Sequence, residues 1–166
     1  MASDPHHRLM PLLPRLYAFA RTMLGDQDAA RDLVQEAATR ALAARRVPED
    51  APAYRAWMFQ IVRNAALDEL RRRRLPPAED HPPVDLWRFD EGCIAKITVE
   101  QGLATLPQPH REIISLIDIA GFSYGEAAEV LNVPVGTIMS RVARARSALL
   151  AAIEASSVRP LKSRHG

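Results

Sequence analysis

A proline-rich, acidic stretch in the middle of the chain most constrains how it can fold. Four prolines lie within eight residues, in the company of three acidic residues: Pro76, Pro77, Pro82, Pro83, Glu79, Asp80 and Asp85. Proline lacks the backbone donor that a helix requires, and acidic side chains favour a solvated segment. We therefore predict a flexible linker over residues 76–98, and a chain of 166 residues is long enough for one small domain on each side.

The composition excludes several classes of protein and of site. Cys93 is the one cysteine in the sequence, so a disulfide framework and a multi-cysteine zinc site are ruled out. A buried apolar residue and a reactive thiol remain its alternatives. No apolar run approaches the about 20 residues of a membrane span, and no signal peptide is recognisable, so we expect a cytoplasmic protein.

No group of residues in the sequence resembles a catalytic centre. The five histidines are scattered over the termini and predicted loops. No clustered nucleophile, metal-binding motif or phosphate-binding loop accompanies them. We therefore expect a protein that is not an enzyme and that has no catalytic residues, metal site or cofactor.

The net charge of +2 hides an uneven distribution along the chain. Residues 8–75 contain 13 arginines and 8 acidic residues, whereas residues 76–98 contain 2 basic and 5 acidic residues. Residues 99–166 contain 7 basic and 6 acidic residues. The basic excess therefore lies in the first half, next to an acidic linker.

Apolar residues recur at helical spacing throughout the first half. The pattern predicts a helix over residues 12–24 that ends at Gly25, a second that Asp26 or Asp28 caps, and a third over residues 53–74. The apolar side of the third is predicted from Trp57, Met58, Ile61, Val62, Ala65 and Leu70. No alternation typical of strands is present, so the fold class predicted is all-α.

The second half has the pattern of a helix-turn-helix. Ser123 and Glu126 have the spacing of a capping box, which opens a helix that ends before the turn at residues 132–134. A last helix follows, with an inward seam predicted from Val135, Ile138, Val142, Ala145 and Leu149. The sequence thus predicts two small helical domains joined by a flexible proline-rich linker, the second of which ends in a helix-turn-helix.

The outer side of that last helix has side chains suited to a DNA major groove. If the seam faces inward, four polar residues share the outer side: Thr137, Ser140, Arg141 and Arg144. Arginine can donate two hydrogen bonds to guanine, and serine and threonine reach phosphates or base edges. The amides of Gly136 and Thr137 lie at the helix start, where free N–H groups can meet a phosphate.

Each of two surfaces of the first half can be interpreted as purely structural or as a binding surface. Aromatic rings near arginines on the third helix suit single-stranded DNA, although Trp57 and Phe59 also flank core positions. The run from Arg71 to Arg74 suits DNA or a helix C-terminus. On the second helix, the polar residues 32, 35 and 36 beside Leu33 are an ordinary solvated face or a partner surface.

Three stretches, in this order, resemble the extracytoplasmic-function (ECF) subfamily of bacterial RNA polymerase sigma factors. Residues 32–36 (DLVQE) are similar to the polymerase-binding motif of that family. Residues 57–64 (WMFQIVRN), followed by Asp68, Arg71 and Arg72, resemble its −10 recognition helix, and residues 134–146 (PVGTIMSRVARAR) resemble its −35 recognition helix. The resemblance extends from about Leu12 to Ile153.

The resemblance implies four segments and a set of site residues. Residues 8–75 would be sigma domain two, 76–98 the linker, 99–155 sigma domain four and 156–166 a disordered tail. Polymerase binding would involve Asp32, Leu33, Gln35 and Glu36; −10 DNA would contact Trp57, Arg63, Asn64, Asp68, Arg71 and Arg72; −35 DNA would contact Thr137, Ser140, Arg141 and Arg144.

The partners implied are core RNA polymerase, through its β′ clamp and β flap, promoter DNA and an anti-sigma factor. The chain departs from the family pattern at Met139 and Ala143, where many members have a basic and a larger residue. Because methionine cannot donate to guanine, specificity there would depend more on Ser140, Arg141 and Arg144.

Two alternatives remain open at this point. One is a stand-alone helix-turn-helix regulator that binds duplex DNA as a dimer. The other is an adaptor, or an anti-sigma-like protein, that binds proteins alone. Transcription that requires both this chain and core polymerase would separate the sigma factor from both alternatives.

Overall fold

The computed structural model describes residues 4–74 and 99–157, and within these two ranges all regular structure is helical. The all-α prediction is therefore confirmed. The predicted linker, with Cys93, lies outside the described residues, as does the predicted tail from residue 158. No helix of the described ranges is long and apolar enough to cross a membrane.

Four α-helices make up the first half. Helix α1 (Pro5–Leu9) continues through a single 3₁₀ turn (Met10–Leu12) into α2 (Leu13–Leu24). Helix α3 (Gln27–Ala43) and the long helix α4 (Ala51–Arg74) follow. Helices α2, α3 and α4 each pack against the other two.

The tight connection between α2 and α3 has the signals that the sequence predicts. Gly25 adopts a left-handed conformation (φ 70°), and its amide donates to the Arg21 carbonyl at 2.8 Å. A side chain at this φ would be strained, which explains the glycine. Asp26 then caps α3, because its Oδ1 accepts hydrogen bonds from the amides of Asp28 (2.9 Å) and Ala29 (3.2 Å).

The described part of the second half is also helical. Residues 99–105 form α5, and α6 (Gln108–Ile114) continues into a π-helical turn (Ser115–Ile119). Helices α7 (Tyr124–Leu131) and α8 (Val135–Ser157) complete it. Helix α8 thus includes the first two residues of the predicted tail.

The core of α4 is rotated relative to the predicted apolar side. Met58 and Val62 are buried as predicted, but Trp57, Ile61, Ala65 and Leu70 are partly buried, while Tyr54, Phe59 and Ala66 are fully buried. The physical reason is that α4 packs against α2 and α3 and also against α7. A helix with neighbours from both halves buries more than one stripe.

The two halves of the chain are in direct contact through aromatic rings. The Phe59 ring of α4, which is fully buried, lies edge-to-face against Phe19 of α2 at 5.6 Å between centroids. It also lies edge-to-face against Phe122, from the loop before α7, at 4.8 Å. One hydrophobic core therefore extends through the described residues of both halves.

Truncation of Phe59 tests how much this ring contributes to folding. Because Phe59 is fully buried and contacts a ring in each half, Phe59→Ala should lower the free energy of unfolding by about 3–5 kcal/mol. Chemical denaturation followed by circular dichroism measures this loss. Met10→Ala is the control, since Met10 is 62% exposed; equal losses for the two variants would contradict the assignment.

Candidate nucleic-acid and polymerase interfaces

The predicted helix-turn-helix is present, and a capping box orients its first helix. The Glu126 amide donates to Ser123 Oγ at 3.2 Å, and the Ser123 amide donates to Glu126 Oε2 at 2.8 Å. Together these bonds satisfy two backbone donors at the start of α7. The hydrogen bond from the Ser123 amide is the largest cause that lowers the pKa of Glu126.

The turn between α7 and α8 fixes the start of the final helix. Asn132 adopts a left-handed conformation (φ 51°), which asparagine tolerates better than most residues. The Thr137 amide donates to the Pro134 carbonyl at 3.0 Å. This amide is therefore not free to meet a phosphate, and that part of the prediction for the helix start is wrong.

The inward seam of α8 is confirmed except at its first residue. Ile138, Val142 and Ala145 are buried and Leu149 is partly buried, but Val135 is 45% exposed. Val135 is the first residue of α8. The inward-facing residues are therefore those from the second turn onward.

The four residues predicted to contact −35 DNA lie on the opposite side of α8. Ser140 and Arg144 are exposed, whereas Thr137 and Arg141 are half-buried. Ser140 Oγ donates to the Thr137 carbonyl at 3.1 Å, so its lone pairs face outward as acceptors. Met139 is 56% exposed beside them and offers no donor.

Arg146 of α8 has a partner within its own half. Its Nη2 donates to Asp118 Oδ1 at 2.7 Å and its Nε to Asp118 Oδ2 at 3.3 Å. The Asp118 carboxylate raises the pKa of Arg146. Arg144 lies on the same helix and is exposed. Among the described residues, its side chain has no hydrogen-bond or salt-bridge partner.

Five of the six residues predicted for −10 DNA share one side of α4. The stripe, at helical spacing, consists of Trp57, Asn64, Asp68, Arg71 and Arg72. Trp57 is partly buried and packs near the Tyr54 ring, at 5.7 Å between centroids. The other four are exposed, and Asp68 accepts from Arg71 at 2.9 Å.

The sixth residue, Arg63, points away from this stripe and towards the second half. Its Nε donates to Oε1 of Glu112, a residue of α6 that is only 4% exposed. Gln108 donates to the other Glu112 oxygen at 3.4 Å. In this conformation the guanidinium of Arg63 is occupied by an intramolecular carboxylate.

The residues predicted to bind polymerase lie on α3, but one of them is in the core. Asp32, Gln35 and Glu36 are exposed, and Glu36 pairs with Arg40. Leu33 is only 8% exposed, so a partner would reach little of its side chain. Asp32 and Glu36 border a shallow cleft that Asp68 and Arg72 of α4 line from the other side.

Sequence reasoning missed the residues that join the two halves. Arg55 of α4 lies 3.9 Å above the Phe122 ring, donates to the Ala120 carbonyl at 2.7 Å and is 3.7 Å from a Glu126 oxygen. Glu112 was also missed, although an acidic residue next to the apolar run of residues 113–117 is a signal that a buried partner exists. The partners are far apart in sequence, so spacing alone does not reveal them.

The described residues contain no group of three or more potential metal-binding side chains.

Two family models match the chain. The model of sigma-70 region 2 matches residues 9–75, and the model of sigma-70 region 4 matches residues 97–149. These two segments are the halves that the proline-rich stretch separates.

Curated relatives match over most of their length. The chain is 38% identical, over 86% of its length and 81% of the relative, to the ECF RNA polymerase sigma factor EcfG of Rhodopseudomonas palustris. It is 37% identical, over 87% of its length and 71% of the relative, to the ECF sigma factor SigM of Mycobacterium tuberculosis. The ECF sigma-E factor of Escherichia coli is 31% identical over 71% of this chain and 70% of the relative.

Solved structures that share the fold include two sigma factors in complexes. One is the sigma factor RpoE of Bartonella quintana in complex with the anti-sigma factor NepR, with a TM-score of 0.69, 30% identity and coverage of 90% of this chain and 96% of that chain. The other is CnrH in complex with the cytosolic domain of CnrY, with a TM-score of 0.69, 27% identity and coverage of 91% and 88%.

The capping box makes the stability of the helix-turn-helix depend on pH. Because the folded chain holds the pKa of Glu126 below its ordinary value, the carboxylate stabilises the fold at neutral pH, and this contribution is lost as the pH falls through the lowered pKa. Glu126→Gln should therefore show a smaller fall in unfolding free energy between neutral and acidic pH. Urea denaturation at a series of pH values measures it, and identical pH profiles for both chains would refute the role.

Proposed function

The chain belongs to the ECF subfamily of RNA polymerase sigma factors, and we propose that its α8 surface selects −35 DNA while its α4 surface binds the −10 element. The observation that supports this proposal is that one short chain carries both surfaces in the order of the two family regions. The protein then contributes promoter choice to core polymerase and performs no bond chemistry itself.

The proposed division of the chain follows the same two surfaces. Residues 8–75 act as domain two, residues 76–98 connect the domains and residues 99–155 act as domain four. The stripe of Trp57, Asn64, Asp68, Arg71 and Arg72 contacts the −10 region, with the Trp57 ring for a base and two guanidinium groups for phosphates. Arg63 is the sixth residue proposed for the −10 region, and in this structure it pairs with Glu112.

The exposed part of α3 is the proposed binding surface for the polymerase clamp. Asp32, Gln35 and Glu36 provide its polar groups, and the buried Leu33 shapes the helix from beneath. The solved relatives RpoE and CnrH are each in a complex, with NepR and with a domain of CnrY respectively. By the same logic, an anti-sigma factor that covers these surfaces would hold this chain inactive.

Run-off transcription tests the proposed function directly. Transcripts should require both the chain and core polymerase, and should start downstream of a shared pair of promoter elements. Tight binding of duplex DNA without polymerase, together with no polymerase-dependent transcript, would instead favour a stand-alone regulator.

Arg144 is the arginine of α8 best placed to contact a base. Arg144→Ala should weaken −35-dependent initiation by about 1–3 kcal/mol, that is, by one lost base contact. Initiation rates on promoters with single −35 substitutions measure both the loss and the relaxed specificity. Arg146→Ala is the matched control, since Asp118 already occupies that guanidinium; an equal effect of both changes would remove the assignment of Arg144.

Charge reversal on α3 tests the proposed clamp-binding surface. Replacing Asp32 and Glu36 by arginine should lower the affinity for core polymerase by about tenfold or more, because like charges across an interface cost several kcal/mol. Competition for core polymerase against a labelled sigma factor measures this affinity. Asp28→Arg changes an exposed carboxylate on the same helix, and it should leave the affinity nearly unchanged; a loss as large as that of the double variant would contradict the surface.

A further inference from the structure

Met139 is an apolar residue on the outer side of α8, the helix that the proposed function assigns to −35 DNA. Its side chain is 56% exposed, and it stands between the buried Ile138 and the exposed Ser140. Single exposed apolar side chains are common on protein surfaces. The surroundings of Met139 on α8 therefore decide what it can contact.

The surface around Met139 has no polar side chain of its own helix. The neighbours of a residue on a helix surface lie three and four positions away. For Met139 these are Val135, Gly136, Val142 and Ala143. Val142 is buried, and the other three are exposed. Val135, Met139 and Ala143, which are four residues apart, therefore form an apolar row on the outside of α8.

The arginine that lies on the same side of α8 as this row is already engaged. Arg146 follows Met139 by two turns, and it donates to the two Asp118 oxygens at 2.7 Å and 3.3 Å. Asp118 belongs to the π-helical turn of the same half. The polar groups available to bases are therefore those of the adjoining row, in which Ser140 and Arg144 are exposed.

Small residues beside Met139 allow a DNA groove to approach the row closely. Apart from neighbours on its own helix, no atom lies within 4 Å of the place that a Cβ of Gly136 would occupy. Ala143, one turn further along, is exposed and short. Methionine is unbranched, with three rotatable bonds and a polarizable sulfur, so it adapts to an irregular surface. Met139 is thus the long, adaptable side chain between two small residues.

Thymine is the base whose major-groove edge carries an apolar group. It presents its 5-methyl group there, whereas guanine presents acceptors, and cytosine and adenine present amino donors. Methionine has no donor, and its sulfur is a weak acceptor. Against guanine or cytosine, Met139 would remove water from polar groups and leave them unpaired, which costs free energy. Against a thymine methyl group, it buries apolar surface on both molecules.

We propose that Met139, flanked by Val135 and Ala143, reads a thymine of the −35 element through its 5-methyl group. This proposal rests on the proposed function of α8, and it adds a base that the donors of Ser140 and Arg144 do not specify. The base pair that faces Met139 is A·T, with the thymine methyl group towards the helix. The row gives specificity both by this contact and by the exclusion of polar base edges.

Selection of promoters by the holoenzyme tests which base is read. The chain is bound to core polymerase, and promoter duplexes with a randomised −35 segment are selected by binding and sequenced. The parent chain should select thymine at one −35 position, and Met139→Ala should lose that preference while it keeps the others. Leu150→Ala is the matched control, because Leu150 is 58% exposed on the same helix, about three turns further along; its base profile should equal that of the parent. The same base profile for the parent and Met139→Ala would overturn the proposal.

Removal of the methyl group from the DNA tests the contact itself. In the selected promoter, the thymine is replaced by deoxyuridine, which lacks only the 5-methyl group. The parent holoenzyme should bind this promoter about fourfold more weakly, which is the effect of one buried methyl group. The holoenzyme with Met139→Ala should bind both promoters equally well. An equal loss for the two chains, or no loss for the parent, would contradict the contact.

Run-off transcription from the same promoters separates failure of this proposal from failure of the proposed function. The parent chain and core polymerase should together give a transcript from the selected promoter; the absence of any polymerase-dependent transcript contradicts the proposed function. At limiting holoenzyme, the parent should make less transcript from the deoxyuridine promoter. Equal transcription from the thymine and deoxyuridine promoters would overturn the role of Met139 and leave the proposed function intact.

Discussion

The stack of Arg55, Phe122 and Phe59 is the contact on which the arrangement of the two described halves depends. The Phe122 ring contacts the Arg55 guanidinium at 3.9 Å and lies edge-to-face against the Phe59 ring at 4.8 Å between centroids. Phe59 in turn packs on Phe19 in the centre of the first half. Because Phe122 directly precedes Ser123, the N-cap of α7, its position also fixes where the helix-turn-helix lies relative to α4.

Polar groups beside this stack give the interface its specificity. Hydrophobic contact alone would allow the halves to slide, since it has no direction. The buried carboxylate of Glu112 requires a cation, and Arg63 of α4 supplies it. A buried ion pair of this kind adds little net stability relative to apolar packing, but it strongly disfavours arrangements that leave the charge unpaired.

Local signals in the sequence predicted helices α2, α3, α4, α7 and α8, but they did not predict α1 or α5. Gly25, Asp26 and the capping box of Ser123 and Glu126 act through neighbours within four residues, so their spacing is visible in the sequence. The buried side of α4 was predicted less well. Its second neighbour, α7, is contributed by a distant part of the chain, and helical periodicity has no information about that neighbour.

The candidate site residues also differ in whether local spacing or packing of distant segments determines their environment. The stripe of Asn64, Asp68 and Arg71 is a local helical pattern, and the structure has it on one exposed side of α4. Leu33 and Arg63 differ because their environments depend on packing: Leu33 faces the core, and Arg63 meets a carboxylate 49 residues away in sequence. The residues that join the two halves are therefore the ones that the sequence alone reveals least.

The distribution of charge is consistent with a chain that binds DNA through two modest surfaces. A net charge of +2 provides little long-range attraction to DNA, so affinity must come from contacts made together. When polymerase holds the two halves at the separation of the promoter elements, the second contact becomes intramolecular and its effective concentration rises.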